Sequence, residues 1–523
     1  MIKQRIFLGL CVVFAQTAKA QCDTTDVSGN MIVSSSTFMS GVYRVTGKFQ
    51  VNSGTTVFVQ PHSVNSCGTL EIIASEIVID GTINGDYAGY IGGVGGAPGQ
   101  TVNSLTGDQT GINSCSNKDN TGLVQLSGGA SGLPGTGPGA GTNASVGATG
   151  SGPKQICLNN SDEAGMIAGS GGAGAGAGAS YGGTGTSGGS GGAGSSDYVA
   201  SGLSVSSAYP VQGGSGGNGG ATGVVYGTLS GMDIQLGSGG SGAGGGGRSF
   251  DIGLAGGNGG NGGGSVILRA SDNLTLSGTI TVNGGDGQSG GQGGNGGATP
   301  KCCSDGCDDC GEATLSTGAG GAGGAGGGSG GGILLFAEGD ASITGTLSAK
   351  GGSGGSGGSR GNGVSCNYSA TFCGSQSLTS NNGNPGQSGG AGGGGRVKVF
   401  VPICSAAVVN PTTNFAGGTG ASTGTNGTYF VGCSELSVME LASNFKLDIF
   451  PNPATNEIRL AVNGSLENAE VSLVDLSGRI VYADTHNLSA DAVAIPVGNL
   501  APGTYQVVLN WQGNSIVKKL IKN

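Results

Sequence analysis

Short apolar stretches separated by glycine occupy the chain between residues 41 and 85. In each of them apolar and polar residues alternate with a period of two, which is typical of half-buried β-strands. They are Val42–Val45, Lys48–Val51, Thr56–Val59, Leu70–Ile73 and Ile77–Ile79. Strands this short, with glycine at the turns between them, predict a β-solenoid or β-helix in which each coil buries its inward side chains against the next.

An internal repeat supports the solenoid prediction. Its pattern is an apolar strand, an alanine, a polar corner, a second apolar strand and then Gly-Thr-Ile or Gly-Thr-Leu. Full copies occur at Leu70–Ile83, Val266–Ile280 and Ile333–Leu347, and fragments at Val224–Leu229 and Arg396–Val401. Because such a unit cannot bury its own apolar face, it needs stacked neighbours. The glycine-rich segments between the copies must therefore loop out or pack beside the coils.

Those glycine-rich segments repeat in threes as Gly-Gly-small, for example at Gly256–Gly263, Gly320–Gly328 and Gly351–Gly358. Three residues per turn is the geometry of an extended left-handed helix. Without Cβ atoms, several such helices can approach closely enough to form a polyglycine-II-like bundle. The alternative is a set of flexible linkers, since glycine loses the most entropy on ordering. We predict packed helices, because the segments are threaded between repeated strands.

From about residue 443 the pattern changes to alternating strands separated by polar turns. The predicted strands are Lys446–Phe450, Glu457–Val462, Ala469–Val474, Arg479–Tyr482, Ala492–Ile495, Thr504–Leu509 and Asn514–Val517. Such a series predicts a small antiparallel β-sandwich of the immunoglobulin-like kind. The predicted fold class is therefore all-β: a glycine-rich β-solenoid or β-helix-like region with polyglycine-II-like tracts, followed by this sandwich.

Four elements of the C-terminal region occur in a fixed order: Phe450–Ala454, Val474–Val481, Leu500–Tyr505 and Lys518–Lys522. Together they resemble the type A C-terminal sorting domain of the type IX secretion system of Bacteroidetes. The residues that carry the resemblance are Pro451, Asn452, Pro453, Asp475, Gly478, Arg479, Gly503, Tyr505, Lys518 and Lys519. The alternative is a generic immunoglobulin-like binding module.

The resemblance implies export by the general export machinery and then by the type IX outer-membrane translocon. It further implies that the domain is removed in transit, and that the rest of the protein is attached to surface lipopolysaccharide or released. We call that remaining part, residues 21–433, the passenger.

The N-terminus has the features of a secretory signal peptide. Lys3 and Arg5 precede a short apolar run, and Ala18 and Ala20 fit the small-x-small cleavage rule, so the mature chain would begin at Gln21. The apolar run is too short to span a bilayer, and no later stretch of the sequence is long enough to do so.

The predicted organisation has five parts. They are a signal peptide (1–20), an N-terminal strand-repeat region (21–85), a glycine-rich region with solenoid-like strands (86–433), a linker (434–442) and the sorting domain (443–523).

Composition narrows the possible functions. The 523 residues include 121 glycines, and only 10% are charged and 5% aromatic, so an ordinary side-chain core cannot organise much of the chain. The formal net charge is −10. Because no basic patch accompanies it, nucleic acid is not an expected partner.

Cysteine usage agrees with export, since the cysteines that would remain after signal cleavage all precede residue 434 and predict disulfides in the passenger. The cluster Cys302, Cys303, Cys307 and Cys310 has too compact a spacing for an ordinary zinc site. We predict disulfides there, and no metal or cofactor.

Catalytic signals are weak. The one histidine of the passenger, His62, lies in a predicted turn, and His486 belongs to the C-terminal module. We therefore expect an exported structural or adhesive protein, secreted or on the outer-membrane surface, and not an enzyme. Two alternatives stay open. Convergent carboxylates would favour a polysaccharide-active β-helix enzyme, and a flat, repetitive face of Thr, Ser and Ala would favour an ice- or glycan-binding protein.

Overall fold

The structure, a computed structural model, describes most of the chain. The described ranges are 22–100, 123–153, 156–158, 162–196, 198–201, 212–297, 312–370, 374–402, 407–433, 447–462, 465–475, 479–489, 491–511 and 514–523. Within them the regular elements are all β-strands, as predicted. Two compact units are distinguished, residues 1–401 with 406–432, and residues 402–405 with 433–523.

Several predicted features lie outside the described residues. They are the signal peptide with its cleavage residues Ala18, Ala20 and Gln21, the cysteines Cys302, Cys303, Cys307 and Cys310, and the motif residue Gly478.

The first unit contains 25 of the strands. In chain order they are β1 (Thr24–Val27), β2 (Met31–Val33), β3 (Thr37–Met39), β4 (Gly41–Val51), β5 (Thr56–Val59), β6 (Thr69–Ile79), β7 (Thr82–Asn84), β8 (Leu123–Leu126), β9 (Gly150–Pro153), β10 (Ile156–Leu158), β11 (Asp162–Ile167), β12 (Tyr198–Ser201), β13 (Ser265–Ala270), β14 (Leu274–Leu276), β15 (Thr279–Thr281), β16 (Glu312–Ser316), β17 (Gly332–Ala337), β18 (Ala341–Ile343), β19 (Thr346–Ser348), β20 (Ser365–Ala370), β21 (Gly374–Ser380), β22 (Arg396–Val401), β23 (Val408–Val409), β24 (Thr412–Asn414) and β25 (Thr428–Cys433).

A stack of parallel coils forms the spine of this unit. The coils, in stacking order, are β1–β2–β3, β4–β5, β6–β7, β13–β14–β15, β17–β18–β19 and β22–β23–β24. The last strand of each coil belongs to a 6-stranded sheet, and the others belong to an 11-stranded sheet that β25 also joins. This is a β-helix-like arrangement. The remaining strands form three small sheets, β8–β9, β10–β11–β16 and β12–β21–β20.

The copies of the internal repeat pair with one another residue by residue in this stack. Ala74 pairs with Ala270, and Ala270 pairs with Ala337, so the alanine of the repeat recurs at one level in three successive coils. Each of the three is at most 3% exposed. Since each coil buries this position against the next, the apolar period of the sequence corresponds to one continuous core.

Three details differ from the sequence prediction. The stretches Leu70–Ile73 and Ile77–Ile79, predicted as two strands with a polar corner between them, form one continuous strand, β6. β4 runs unbroken through Gly47, where a turn was predicted, because it pairs along its length with β6 and accommodates one extra residue as an irregularity between Val45 and Lys48. The fragment Val224–Leu229 is not a strand. Its Tyr226 carbonyl instead accepts a hydrogen bond of 2.9 Å from Nη2 of Arg396.

Between the third and sixth coils the chain makes long glycine-rich excursions that bond to one another through the backbone. In the excursion of residues 318–331, amide donors recur every three residues, and the three phases are directed to different neighbouring segments. Residues 318, 321, 324, 327 and 330 donate to residues 381–393, and residues 319, 322, 325 and 328 donate to residues 285–294. The third phase is shared by two segments: residues 320 and 323 donate to residues 170–173, and residues 326 and 329 donate to residues 238–241.

This excursion is buried throughout, and its alanines Ala319, Ala322 and Ala325 are fully enclosed. A Cβ at Gly326 would overlap the carbonyl oxygen of Ala177. Glycine is therefore needed here for close approach of backbones, and hydrogen-bonded main chain fills the space that apolar side chains fill in an ordinary core.

A disulfide joins Cys22, just before the first coil, to Cys67 at the start of the third. The two residues are 45 positions apart in sequence, with their Cα atoms separated by 5.4 Å. It therefore closes the loop that contains the first two coils, which restricts the unfolded chain.

The second unit has seven strands. They are β26 (Leu447–Phe450), β27 (Glu457–Val462), β28 (Leu466–Asp475), β29 (Ile480–Leu488), β30 (Val493–Pro496), β31 (Gly503–Trp511) and β32 (Asn514–Lys522). They form a 3-stranded sheet, β26–β27–β30, and a 4-stranded sheet, β29–β28–β31–β32. Leu460 and Ile495 of the first sheet share one core with Val471 and Leu509 of the second.

We predict that Gly326→Ala destabilises the passenger by about 3 kcal/mol, because its methyl group displaces the Ala177 backbone within a bonded bundle. The midpoint of thermal unfolding, followed by calorimetry, tests this. Ser356→Ala, at an exposed position of another glycine-rich segment, is the control and should leave the midpoint unchanged. Equal midpoints for all three proteins would refute the close-packing argument.

Candidate functional surfaces

The sequence elements noted at the C-terminus converge at one end of the 4-stranded sheet. Asp475, at the end of β28, pairs with Tyr505 near the start of β31, and Tyr505 pairs with Leu520 of β32. Gly503 pairs with Lys522 on the same two strands. Antiparallel pairing therefore brings together residues that the sequence separates.

Asn452 attaches the Pro-Asn-Pro element to this end. Its Nδ2 donates to the carbonyl oxygen of Lys519 at 2.8 Å, and its Oδ1 accepts from the amide of Ile521 at 2.8 Å. Ala454 continues the contact, donating its amide to the Ile521 carbonyl at 2.8 Å. The first and last elements of the motif set are thus in direct contact.

The middle elements are held by local hydrogen bonds. The amide of Arg479 donates to Oδ1 of Asp475, and its Nε donates to Oδ2, both at 3.1 Å, while the Arg479 side chain is 77% exposed. The buried Tyr505 donates its hydroxyl to the carbonyl of Ala501 at 2.8 Å. On β32, Lys518 is half-buried and Lys519 exposed.

Residues 448–523 match the model of the secretion system C-terminal sorting domain family. The chain carries a type IX sorting domain. The resemblance seen in the sequence is thereby confirmed. No curated protein matches the chain.

The sorting domain marks the protein as one secreted to the cell surface or the extracellular space, and it implies an interaction with the type IX secretion machinery. Within the described ranges, the structure contains no helix of the length and apolarity needed to cross a membrane. The surfaces of the passenger are therefore the candidates for its function outside the cell.

A threonine row runs along the outer face of the 6-stranded sheet of the passenger. The members pair in register from coil to coil, one in each of the second to sixth coils: Thr56, Thr82, Thr279, Thr346 and Thr412. Adjacent strands lie about 4.8 Å apart, and the residues that follow the first four threonines are buried. Three of these threonines belong to the Gly-Thr-apolar repeat of the sequence, but only the stacking of the coils shows that all five form one row.

Several glycine-rich segments together form an uncharged flank, which we define as residues 89–100, 123–150, 183–196 and 213–226. None of these ranges contains Asp, Glu, Lys, Arg or His. They lie side by side, as shown by the bonds from the Leu133 amide to the Val94 carbonyl at 2.8 Å and from the Ser145 amide to the Asn218 carbonyl at 2.9 Å.

Apolar side chains project from this uncharged flank. Ile91 and Val94, three residues apart on one segment, are 50% and 58% exposed. The range 123–150 folds back on itself, as the bond from the Gly147 amide to the Gly129 carbonyl shows. Leu133 and Val146, on its two arms, are 59% and 61% exposed. Exposed apolar groups in adjacent rows are typical of a contact surface.

The other conspicuous cluster consists of buried cations, whose side chains are hydrogen-bonded within the protein. Lys398 on β22 is 1% exposed, and its Nζ donates to Oδ1 of Asp233 at 3.0 Å, to the Asp233 carbonyl at 2.6 Å and to the Gly231 carbonyl at 2.7 Å. Arg396 lies over the ring of buried Tyr181, with its guanidinium carbon 5.6 Å from the ring centroid. Two cations of one strand thus fasten the loop around residues 226–233 to the sheet.

The ionisation of this pair follows from its surroundings. Burial lowers the pKa of Lys398, and the hydrogen bond to Asp233 partly offsets that effect. Burial alone would raise the pKa of Asp233, but hydrogen bonds from Thr228 and Lys398 outweigh it and hold that pKa well below its usual range. The lowered pKa keeps the Asp233 carboxylate charged near neutrality, and its hydrogen bond with Lys398 holds the loop against the sheet.

The remaining candidates for chemistry are isolated in the described structure. His62 is half-buried, its ring meets Tyr90 edge-on at 5.1 Å, and its Nδ1 has no hydrogen-bond partner among the described residues. A shallow pocket is lined by Asp251, Leu254 and Gln292 among others, with Asp251 the one carboxylate in its lining. Two-carboxylate glycoside hydrolysis needs a facing pair, which this lining does not supply.

We predict that Lys398→Met destabilises the passenger by about 3 kcal/mol, because it leaves the Asp233 carboxylate and two carbonyls without their shared donor. Thermal unfolding measures the effect. Lys350→Met, which removes an exposed lysine, is the matched control and should change little. A Lys398→Met protein as stable as that control would show that the hydrogen bonds of Lys398 do not stabilise the passenger.

The low pKa of Asp233 also predicts an acid dependence. A carboxyl whose pKa is lower in the folded than in the unfolded protein stabilises the fold above its unfolded pKa, and this contribution is lost as pH falls through that value towards the folded one. Between about pH 5 and pH 2 the unfolding midpoint of Asp233→Asn should therefore fall less steeply than that of the wild type. Parallel curves from calorimetry across this range would contradict the prediction.

Proposed function

We propose that the passenger is a structural and adhesive protein, held at the cell surface or released, with no catalytic role. The proposal rests on the glycine bundle, which is held together by backbone hydrogen bonds and has an uncharged flank. The chain that contains it carries a sorting domain for export. A rigid surface loses little conformational entropy on contact. It can therefore attach through many weak contacts without a pocket.

We infer that the glycine-rich segments are polyglycine-II-like helices. The supporting observation is the three-residue interval between amides that donate to one neighbour, which is the period of an extended left-handed helix. We likewise infer that the sorting domain is an immunoglobulin-like sandwich, since two antiparallel sheets share one core.

The uncharged flank is our candidate for the adhesive contact. Ile91, Val94, Leu133 and Val146 present apolar groups on three neighbouring segments, and no charge has to be desolvated when this face meets another surface. Lipopolysaccharide at the cell's own surface is the proposed anchor for the passenger after export.

Binding to ice or to a glycan is a second candidate, favoured by the threonine row. Five threonines at one level of five coils make a flat array of hydroxyl and methyl groups with a regular spacing. Inhibition of ice recrystallisation and glycan-array binding by the purified protein test it. Thr279→Leu should weaken either activity if the row is the site.

Attachment of the source bacterium to glass and to glycan-coated surfaces tests the adhesive role. Deleting the gene should reduce attachment several-fold. The full-length gene should restore it, and a gene truncated after Ala442 should not, because its product lacks the sorting domain. Unchanged attachment after deletion, with the wild-type protein abundant outside the cell, would overturn the adhesive function.

A second comparison tests the face itself. Leu133→Asp places a charge on the uncharged flank at a side chain that is 59% exposed, so the fold should tolerate it. Ser356→Asp, on an exposed residue outside this flank, is the control. Attachment should fall with the first variant and persist with the second, at equal amounts of exported protein. Equal attachment by both would exclude this face as the adhesive contact.

A further inference from the structure

The terminal strand β32 forms one edge of the 4-stranded sheet, with β31 as its partner. In an antiparallel ladder, alternate residues of an edge strand direct their N–H and C=O groups away from the sheet. Lys519 and Ile521 are in this outward phase, because Asn452 and Ala454 bond them from outside. Val517, two positions before Lys519, is in the same phase.

The Pro-Asn-Pro element is suited to closing this edge. Pro451 and Pro453 have no amide hydrogen, so their backbone cannot donate to a ladder. The Asn452 side chain supplies what they lack, since an amide is both a donor and an acceptor. It meets the Lys519 carbonyl and the Ile521 amide at 2.8 Å each, as a neighbouring strand would.

We propose that Asn452 is a positioning residue for export, which holds the outer edge of β32 so that the sorting domain presents its terminal strand in one register. Lys518 and Lys519 lie on this strand, and the Asn452 bonds fix the backbone that bears them. The side chain thus acts through β32.

Two single variants remove the hydrogen bond between Asn452 and the Ile521 amide from opposite sides, and the first also removes the bond to the Lys519 carbonyl. Asn452→Ala deletes the side chain. Ile521→Pro deletes the amide hydrogen that Asn452 accepts and leaves Asn452 itself in place; proline is tolerated on an edge strand where its missing N–H faces outward. The full chain is expressed in a bacterium with a type IX system, and the fraction outside the cell is followed by pulse-chase.

Both variants should reduce the exported fraction several-fold. The double variant should be no worse than Asn452→Ala alone, because Asn452→Ala already removes the bond to the Ile521 amide together with the bond to the Lys519 carbonyl. Hydrogen exchange should quicken at residues 519–523 and stay unchanged in the rest of the domain. Val517→Pro is the matched control: it is the same substitution on the same edge, at an amide that no described residue bonds. It should export normally.

Three results would overturn the proposal. The first is normal export of Asn452→Ala. The second is normal export of Ile521→Pro while Asn452→Ala fails, which would mean that the machinery contacts the Asn452 side chain itself. The third is failure of Val517→Pro to the same degree, which would mean that any proline on this edge is harmful.

A milder variant covers the case in which Asn452→Ala unfolds the whole domain. Asn452→Asp keeps an acceptor for the Ile521 amide and loses the donor to the Lys519 carbonyl. It should export at an intermediate level. Wild-type export from this variant, with exchange at residues 519–523 already quickened, would also contradict the proposal.

Discussion

Hydrogen bonding of the buried main chain is the constraint on which the rest of the passenger depends. Each non-proline residue carries an N–H and a C=O, and leaving either unpaired away from water costs free energy. In the excursion of residues 318–331 no strand ladder satisfies these groups. Four neighbouring segments accept its amides instead, two of the three triplet phases going to one segment each and the third phase to two. The Gly-Gly-small pattern follows from this constraint, because a Cβ at a position such as Gly326 would occupy the place of a neighbouring carbonyl.

The same constraint explains why the glycine-rich bundle and the coil stack occur together. Glycine segments lose much entropy on ordering, and they carry few apolar groups whose burial would offset that loss. The coils supply the apolar core, with positions such as Ala74, Ala270 and Ala337 enclosed at one level. The excursions leave and rejoin the stack at fixed points, so their ends are already held, which reduces the entropy that ordering must overcome. The passenger is therefore held together by backbone hydrogen bonds as well as by an apolar core.

In the sorting domain, the same need to pair main-chain N–H and C=O groups is met at the edge of a sheet. A β-sheet edge offers free N–H and C=O groups to any passing strand. The element around Asn452 occupies part of the outer edge of β32 with two side-chain bonds. Asn452 and Lys519, 67 residues apart in sequence, are thereby joined at one edge of the sheet.

The sequence by itself determined the class of structure and the route of export. Period-two strands, the Gly-Thr-apolar repeat and the glycine triplets are local patterns, and local patterns report local conformation. The ordered sorting elements identified the C-terminal module for the same reason, since they lie within one short region.

Only the tertiary structure decided which segments meet, because contacts across the fold leave no local signal. It placed Lys398 against Asp233, 165 residues away, joined Cys22 to Cys67, and aligned five threonines into one row. It also extended β4 through Gly47, where pairing with β6 outweighs the local turn preference. In these cases, pairing between distant segments decided the conformation where the local sequence did not.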